Sequence, residues 1–237
     1  DREKNPGLRP GFFVSSRSDQ RFRRRTSQPA SDPPTRMEVR GLDRLPENAA
    51  LIAVKHQSAW DTFALIPLFR DPAMVMKAEL GHIPFYGWFS RKFEHILVER
   101  GKAATALRKM IRQARQRAEQ NRDIVIFPEG TRRPPGAPPA YNSGVVALYE
   151  GLELPCVPVA LNSGMYWPRR SLRKRPGTIV VELLEPIPPG LPRAEFRRIL
   201  IERIETASER LRLEAEGELG LAEPKATSPA TLDLEQN

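Results

Sequence analysis

Ala50-Leu51-Ile52-Ala53-Val54-Lys55-His56-Gln57-Ser58-Ala59-Trp60-Asp61 opens as an unbroken apolar run and closes as a polar loop. The run is too short for a helix and shows no polar alternation, so it reads as a strand buried on both faces. Ile124-Val125-Ile126-Phe127-Pro128-Glu129-Gly130-Thr131-Arg132 repeats the arrangement, with Pro128 stopping the strand and Gly130 permitting a tight turn. Between and beyond these two stretches, strand-like and helix-like segments alternate. Strands are expected at Ala73–Met76, His95–Val98, Val157–Leu161 and Thr178–Leu184. Helical character is expected at Asp61–Phe69, Ala103–Gln120, Tyr141–Tyr149 and Arg193–Leu213. In the second of these, Ala104, Leu107, Ile111, Ala114 and Ala118 recur at three- and four-residue steps, with Arg and Lys opposite. In the last, Phe196, Leu200, Ile204, Ala207 and Leu211 share a side. Such alternation predicts an α/β fold, a mixed, largely parallel sheet flanked by helices.

At 237 residues the chain suits one domain with room for a small appendage. Residues 1–36 are rich in Arg, Ser and Pro and lack periodicity, which predicts an irregular or disordered N-terminal segment. Residues 217–237 read as a loose C-terminal tail. The folded domain is thus expected over 37–216. The net charge of +9 suits polyanions: nucleic acid, an anionic membrane surface, acidic carriers or phosphorylated substrates. The plain alternative is a set of solvated basic faces. The single cysteine, Cys156, can form no internal disulfide and fits a reducing compartment, where packing is its expected role. No stretch approaches the roughly 18 apolar residues of a membrane-spanning helix, and no signal peptide is visible. The chain begins at Asp1 rather than Met, which leaves a longer parent open.

The two loops carry the chemistry. His56 follows a strand, and its imidazole can accept a proton from an alcohol near neutral pH. Asp61 lies five residues on; along a continuous helix that offset is about 500°, so the two would not share a face. They pair only if His56 lies in the loop and Asp61 in the first helical turn. Then the carboxylate fixes the tautomer of the ring and stabilises the imidazolium. Ser58 reads as a helix N-cap rather than a nucleophile. With three histidines and no ligand spacing, no metal is expected. In the second loop, Arg132 offers a permanently charged fork for a phosphate or carboxylate, and Thr131 and loop amides offer neutral donors. Glu129 reads as an acceptor from a substrate hydroxyl, as the anchor of an arginine, or simply as the partner of Arg132 in a structural turn. Lys77 and Arg100 follow two other strands and offer further cations. The stretch Ile83-Pro84-Phe85-Tyr86-Gly87-Trp88-Phe89 reads equally as core or as an apolar surface for lipid.

Taken in order, these segments resemble the glycerolipid acyltransferase family, of the lysophosphatidate acyltransferase type. The family's His-x4-Asp motif matches His56 to Asp61. Its second region matches Lys77-Ala78-Glu79-Leu80 through Val98-Glu99-Arg100, its third Phe127-Pro128-Glu129-Gly130-Thr131-Arg132, and its fourth Val157-Pro158-Val159-Ala160-Leu161-Asn162. The resemblance covers about residues 37–213 and implies a glycerol-3-phosphate acyltransferase-like domain. It implies that His56, held by Asp61, deprotonates the sn-2 hydroxyl of 1-acyl-sn-glycerol-3-phosphate, which attacks an acyl thioester on coenzyme A or acyl carrier protein to give phosphatidic acid. Lys77, Arg100 and the loop Glu129, Gly130, Thr131 and Arg132 would hold the acceptor's phosphate. No cofactor is implied beyond that acyl donor. A lyso-ornithine lipid is the alternative acceptor. The resemblance also implies work at the cytoplasmic face of a bacterial inner membrane, reached peripherally or through a missing N-terminal segment. The Arg23–Arg25 cluster suggests nucleic acid, but the four motifs displace that reading, and no nucleic-acid partner is expected.

Overall fold

The computed structural model describes residues 35–99 and 103–221, so Arg100 and nearly all of the predicted N-terminal segment lie outside the described residues. Among the described residues, seven strands form one sheet: β1 Arg36–Arg40, β2 Leu51–Val54, β3 Ala73–Lys77, β4 Ile96–Val98, β5 Ile124–Ile126, β6 Cys156–Leu161 and β7 Thr178–Leu183. The same residues form six α-helices: α1 Asp61–Ala64, α2 Tyr86–Lys92, α3 Ala103–Glu119, α4 Ser143–Leu152, α5 Ser163–Tyr166 and α6 Arg193–Glu218. The strand order is β1-β7-β6-β2-β5-β3-β4. Every neighbouring pair is parallel except β6 with β7. The expected mixed, largely parallel sheet is therefore present.

The unbroken apolar strands explain this order. β2 and β5 are buried at every residue, as strands covered on both faces must be. Leu51, Ala53, Ile124, Ile126 and Cys156 face one layer, where Met110 and Ala114 of α3, Val145 and Leu148 of α4, and Phe196, Leu200 and Ile204 of α6 pack against them. Ile52, Val54, Val125, Val157 and Val159 face the other, covered by Leu65 and Phe69. Because β2, β3, β4, β5 and β6 run in parallel, their carboxyl ends all emerge at one edge of the sheet. That edge carries the loops read above as chemical, as open α/β sheets require.

Several local readings change. Asp61–Phe69 is not one helix: α1 ends at Ala64, and a 3₁₀ turn over Ile66–Leu68 follows, accommodating Pro67. β1 starts at Arg36, inside the segment read as irregular, and its charged residues are tolerated because it is an edge strand. α6 passes Leu213 and includes Gly217 and Glu218, assigned above to the tail; Ala215 is buried against Met165, Tyr166 and Ile179, which extends the helix's core contact by another turn. The 83–89 stretch contributes a short helix rather than core. Gly87 is required there, since a Cβ would stand 1.9 Å from the Gly81 carbonyl oxygen. Among the described residues, no helix is long and apolar enough to cross a membrane.

His95, just before β4, ties that strand to β3: its Nδ1 accepts a hydrogen bond from the Met74 N–H at 3.2 Å. Burial, assisted by the Arg122 charge, lowers its pKa to about 4. Between the ordinary histidine range and that value, the unfolded chain binds a proton that the folded chain refuses, so stability falls as pH drops through the window. Denaturant unfolding at pH 7 and pH 5 should show the wild type losing about 1–2 kcal/mol more than His95→Asn. Equal losses would contradict the assignment.

Candidate active site

Asp61 is the most densely bonded side chain at the carboxyl edge of the sheet. It is wholly buried, and its Oδ2 accepts from the backbone N–H of Gln57 at 2.8 Å and of Ser58 at 2.9 Å. The same oxygen lies 2.9 Å from His56 Nδ1. Oδ1 accepts from the Ser163 hydroxyl at 2.5 Å. A carboxylate oxygen already facing two amide donors acts as an acceptor, so the geometry assigns the proton to His56 Nδ1 and leaves Nε2 with its lone pair. The ring is further fixed by stacking on Phe127, with centroids 4.0 Å apart. His56 in the loop and Asp61 as the first residue of α1 is the arrangement that makes a five-residue offset work. Ser58 is not the helix N-cap; that position is Trp60, whose N–H donates to the Ser58 hydroxyl at 3.1 Å and closes the turn.

The loop after β5 is clamped beside this pair. The Arg133 N–H donates to the His56 carbonyl at 2.8 Å, and the Gly130 N–H to the Phe127 carbonyl at 2.9 Å. Gly130 has φ +60°, and a Cβ there would lie 2.9 Å from Asn142 Nδ2, so this position requires glycine. Thr131 is exposed, and Arg132 is half-buried. Arg132 lines a cleft of about 350 Å³ with Ser58, Ala59 and Trp167, and so shares it with the His56 loop.

Glu129 turns inward instead. Its side chain is buried and accepts from Lys55 Nζ at 3.0 Å, so its partner is Lys55 rather than Arg132. Lys55, only 3% exposed, also reaches both carboxylate oxygens of Glu205 in α6, at 2.8 and 3.0 Å. The Tyr141 hydroxyl donates to Glu205 Oε1 at 2.7 Å. Two carboxylates thus share one buried ammonium and a phenol. Burial pushes the Glu129 carboxyl up, and the Lys55 charge opposes that. The cluster joins the end of β2, the loop after β5, the start of α4 and the middle of α6.

Of the residues read from sequence, His56 and Asp61 are hydrogen-bonded, and Glu129, Gly130, Thr131 and Arg132 form the neighbouring loop. Lys77 ends β3, two strands along the same edge, in register with Val98. Lys55, Gln57, Ser163, Tyr141 and Glu205 were not singled out. Gln57 is buried, and its Oε1 accepts from the Gly164 N–H at 3.0 Å, pinning α5 to the His56 loop. Only the position of Lys55, an ammonium set between a buried strand and the histidine, signalled such a role in advance. Burial pushes the Cys156 thiol up, in keeping with a packing role. The 83–89 stretch lies on the surface: Phe85 is 88% exposed, and Ile83, Trp88 and Phe89 are exposed beside it. Phe63 of α1 meets Tyr86 edge-on at 6.5 Å, so this aromatic surface adjoins the helix that begins at Asp61.

Comparison with known proteins gives a family and a fold. Residues 36–162, more than half of the chain, match the family model described as "Acyltransferase". The 1-acyl-sn-glycerol-3-phosphate acyltransferase of Pseudomonas aeruginosa is 40% identical over 146 residues, covering 62% of this chain and 57% of that protein. Its namesake from Limnanthes alba is 31% identical over 153 residues, covering 64% and 54%. The chain thus spans a little over half the length of these relatives. The crystal structure of the 1-acyl-sn-glycerophosphate acyltransferase PlsC from Thermotoga maritima superposes with a TM-score of 0.64 at 24% identity, covering 75% of this chain and 73% of that one. At that identity the likeness shows the fold.

Lys55→Met should strand Glu129 in the interior and cost about 3–5 kcal/mol at neutral pH. A carboxyl with a raised folded pKa carries its penalty above its ordinary range, so the deficit should shrink as pH falls from 8 to 5. Lys55→Met/Glu129→Gln should recover most of it. Urea unfolding measures all three; a deficit independent of pH and unaffected by Glu129→Gln would contradict the assigned pairing.

Proposed function

This chain belongs to the acyltransferase family, and from that premise we propose that it transfers an acyl chain from a thioester to the free sn-2 hydroxyl of 1-acyl-sn-glycerol-3-phosphate, giving phosphatidic acid. The observation that carries the reading is His56, oriented by a buried Asp61 that accepts a hydrogen bond from its Nδ1. Nε2 takes the proton of the acceptor hydroxyl as its oxygen attacks the thioester carbonyl. The C–S bond breaks, and the imidazolium returns its proton to the departing thiolate. Asp61 stabilises the imidazolium without taking its proton. The reaction is direct: the substrate hydroxyl is the nucleophile, so no acyl-enzyme is needed, and holding both substrates beside Nε2 supplies much of the rate.

The acceptor's phosphate fits the cations at the sheet edge. Arg132 borders the cleft shared with the His56 loop and Lys77 ends a strand on the same edge, while Arg100, outside the described residues, joins them in this reading from its sequence motif alone; Thr131 and loop amides add neutral donors. Glu129 serves by holding this loop through Lys55 rather than by meeting the substrate. The relatives named for 1-acyl-sn-glycerol-3-phosphate support that acceptor over a zwitterionic lyso-ornithine lipid. The donor is acyl-CoA or acyl carrier protein. The exposed Phe85, Trp88 and Phe89, with Lys92 Nζ lying 5.0 Å from the Trp88 ring centroid, support work at a lipid surface. The buried free Cys156 fits the cytoplasmic face of a bacterial inner membrane.

Purified protein with 1-acyl-glycerol-3-phosphate and acyl-CoA or acyl carrier protein in mixed micelles should form labelled phosphatidic acid. His56→Ala should lower the rate by about 10³-fold or more while the chain stays folded, and Asp61→Asn should lower kcat strongly with little effect on acceptor KM. Turnover of lyso-ornithine lipid in preference to the phosphate acceptor, or full activity in His56→Ala, would overturn the reading.

A further inference from the structure

Residues 168–177, Pro-Arg-Arg-Ser-Leu-Arg-Lys-Arg-Pro-Gly, join α5 to β7. Arg169, Arg170, Arg173, Lys174 and Arg175 fall within seven positions, and all five are exposed. No acidic residue occurs from Leu154 to Val181. Several other arginines of the molecule are matched by acids: Arg122 by Asp71 and Glu94, Arg210 by Glu182 and Glu214, Arg212 by Glu209 and Glu216. Among the described residues none of the five loop cations has an ion pair. Their side-chain bonds go to backbone carbonyls: Arg169 to Arg132 at 3.1 Å, Lys174 to Ser171 at 2.9 Å and Arg175 to Met165 at 3.4 Å. Five uncompensated charges repel one another, so the loop is poised for an anionic partner.

Its position says where that partner sits. The loop walls the cleft lined by Ser58, Ala59, Arg132 and Trp167, which opens two residues from His56. At the middle of the cations stands Leu172, 100% exposed. Cations spread over an outward loop, rather than converging in a pocket, suit an extended acidic surface better than the phosphates of one nucleotide. A solvent-exposed leucine among them suits a protein surface, in which an apolar contact sits within a charged rim. The aromatic surface fit for lipid lies elsewhere, on α2 and the turn before it.

We propose that residues 168–177 dock a small acidic carrier protein bearing the acyl thioester, so that its prosthetic arm enters the cleft beside Ser58 and Arg132 and delivers the thioester to His56. This rests on the acyl-transfer reading and names the partner that supplies its donor.

Arg173→Glu/Arg175→Glu reverses two of the charges, both on side chains that do not line the cleft. Rates on lysophosphatidate are measured with palmitoyl-loaded bacterial acyl carrier protein, palmitoyl-CoA and palmitoyl-pantetheine, each across a salt series. The variant should raise KM for the carrier thioester about tenfold or more, with kcat little changed and a flatter salt dependence. Palmitoyl-pantetheine, which has no carrier, should be used equally well by both proteins, which also shows that the variant is folded. An unchanged carrier KM overturns the proposal. So does an equal rise for palmitoyl-CoA, which would assign the loop to the nucleotide. Loss of binding to anionic vesicles with carrier kinetics intact would assign it to the bilayer and likewise overturn the proposal. Fluorescence anisotropy of labelled carrier, read without turnover, separates the two levels. Carrier binding that the variant loses, in a wild type that acylates nothing, would sustain the dock and refute the acyl-transfer reading; no carrier binding by the wild type would refute the dock.

Discussion

One buried carboxylate organises the reactive end of this molecule. Asp61 is wholly buried and, among the described residues, has no ion pair with a lysine or arginine, so its charge is tolerable because four donors converge on it. Two of those donors are amides of the loop that carries His56, one is the ring of His56 itself, and the last is Ser163, the first residue of α5 just past β6. Satisfying the carboxylate therefore fixes the loop, the tautomer and the distance between two neighbouring strand ends at once. The histidine's role follows from this: with Nδ1 committed as a donor, only Nε2 remains to act as a base.

A second buried charge cluster sets the other wall. Lys55 precedes His56 directly, and its ammonium holds Glu129 and Glu205 together. Such a buried triad is poor evidence for stability, because the desolvation of three charges offsets most of their attraction. Its effect is geometric. It fastens the loop carrying Arg132 to the strand carrying His56, and fastens both to α6, a helix whose sequence holds no recognisable motif. The C-terminal helix is thereby part of the site's frame. Outside that frame, charge and apolar surface are divided: aromatic side chains gather on α2, unmatched cations on the loop before β7, and His56 stands at the strand ends they flank.

The sequence made most of the scaffold legible, because fully buried strands cannot hide their composition. β2, β5 and β6 were readable as apolar runs, β7 as a β-branched run uncharged until Glu182, and α3 and α6 as helical periods. The parallel edge followed from their alternation. What escaped was whatever depended on distant contacts. β1 pairs only with β7, and its three charged residues carry no strand signal. α2 exists because Gly87 sits against Gly81, and its aromatic face points outward, so no core period marks it. At the site, the His56–Asp61 pairing was readable because both members lie in one short segment. Ser163 and Glu205 were not, since they lie 102 residues from Asp61 and 150 residues from Lys55. Glu129 showed the limit most plainly: a loop carboxylate beside an arginine suggested a substrate contact, an arginine anchor or a surface pair with Arg132, and the fold instead turned it inward to a lysine next to His56.

The central claim is that Asp61 acts through His56 and not on the substrate. A double-mutant cycle on kcat/KM, with His56→Ala, Asp61→Asn and both together, tests it most directly. The account predicts that removing Asp61 costs nothing further once His56 is gone, so that the double variant matches His56→Ala. Losses that multiply independently would contradict it.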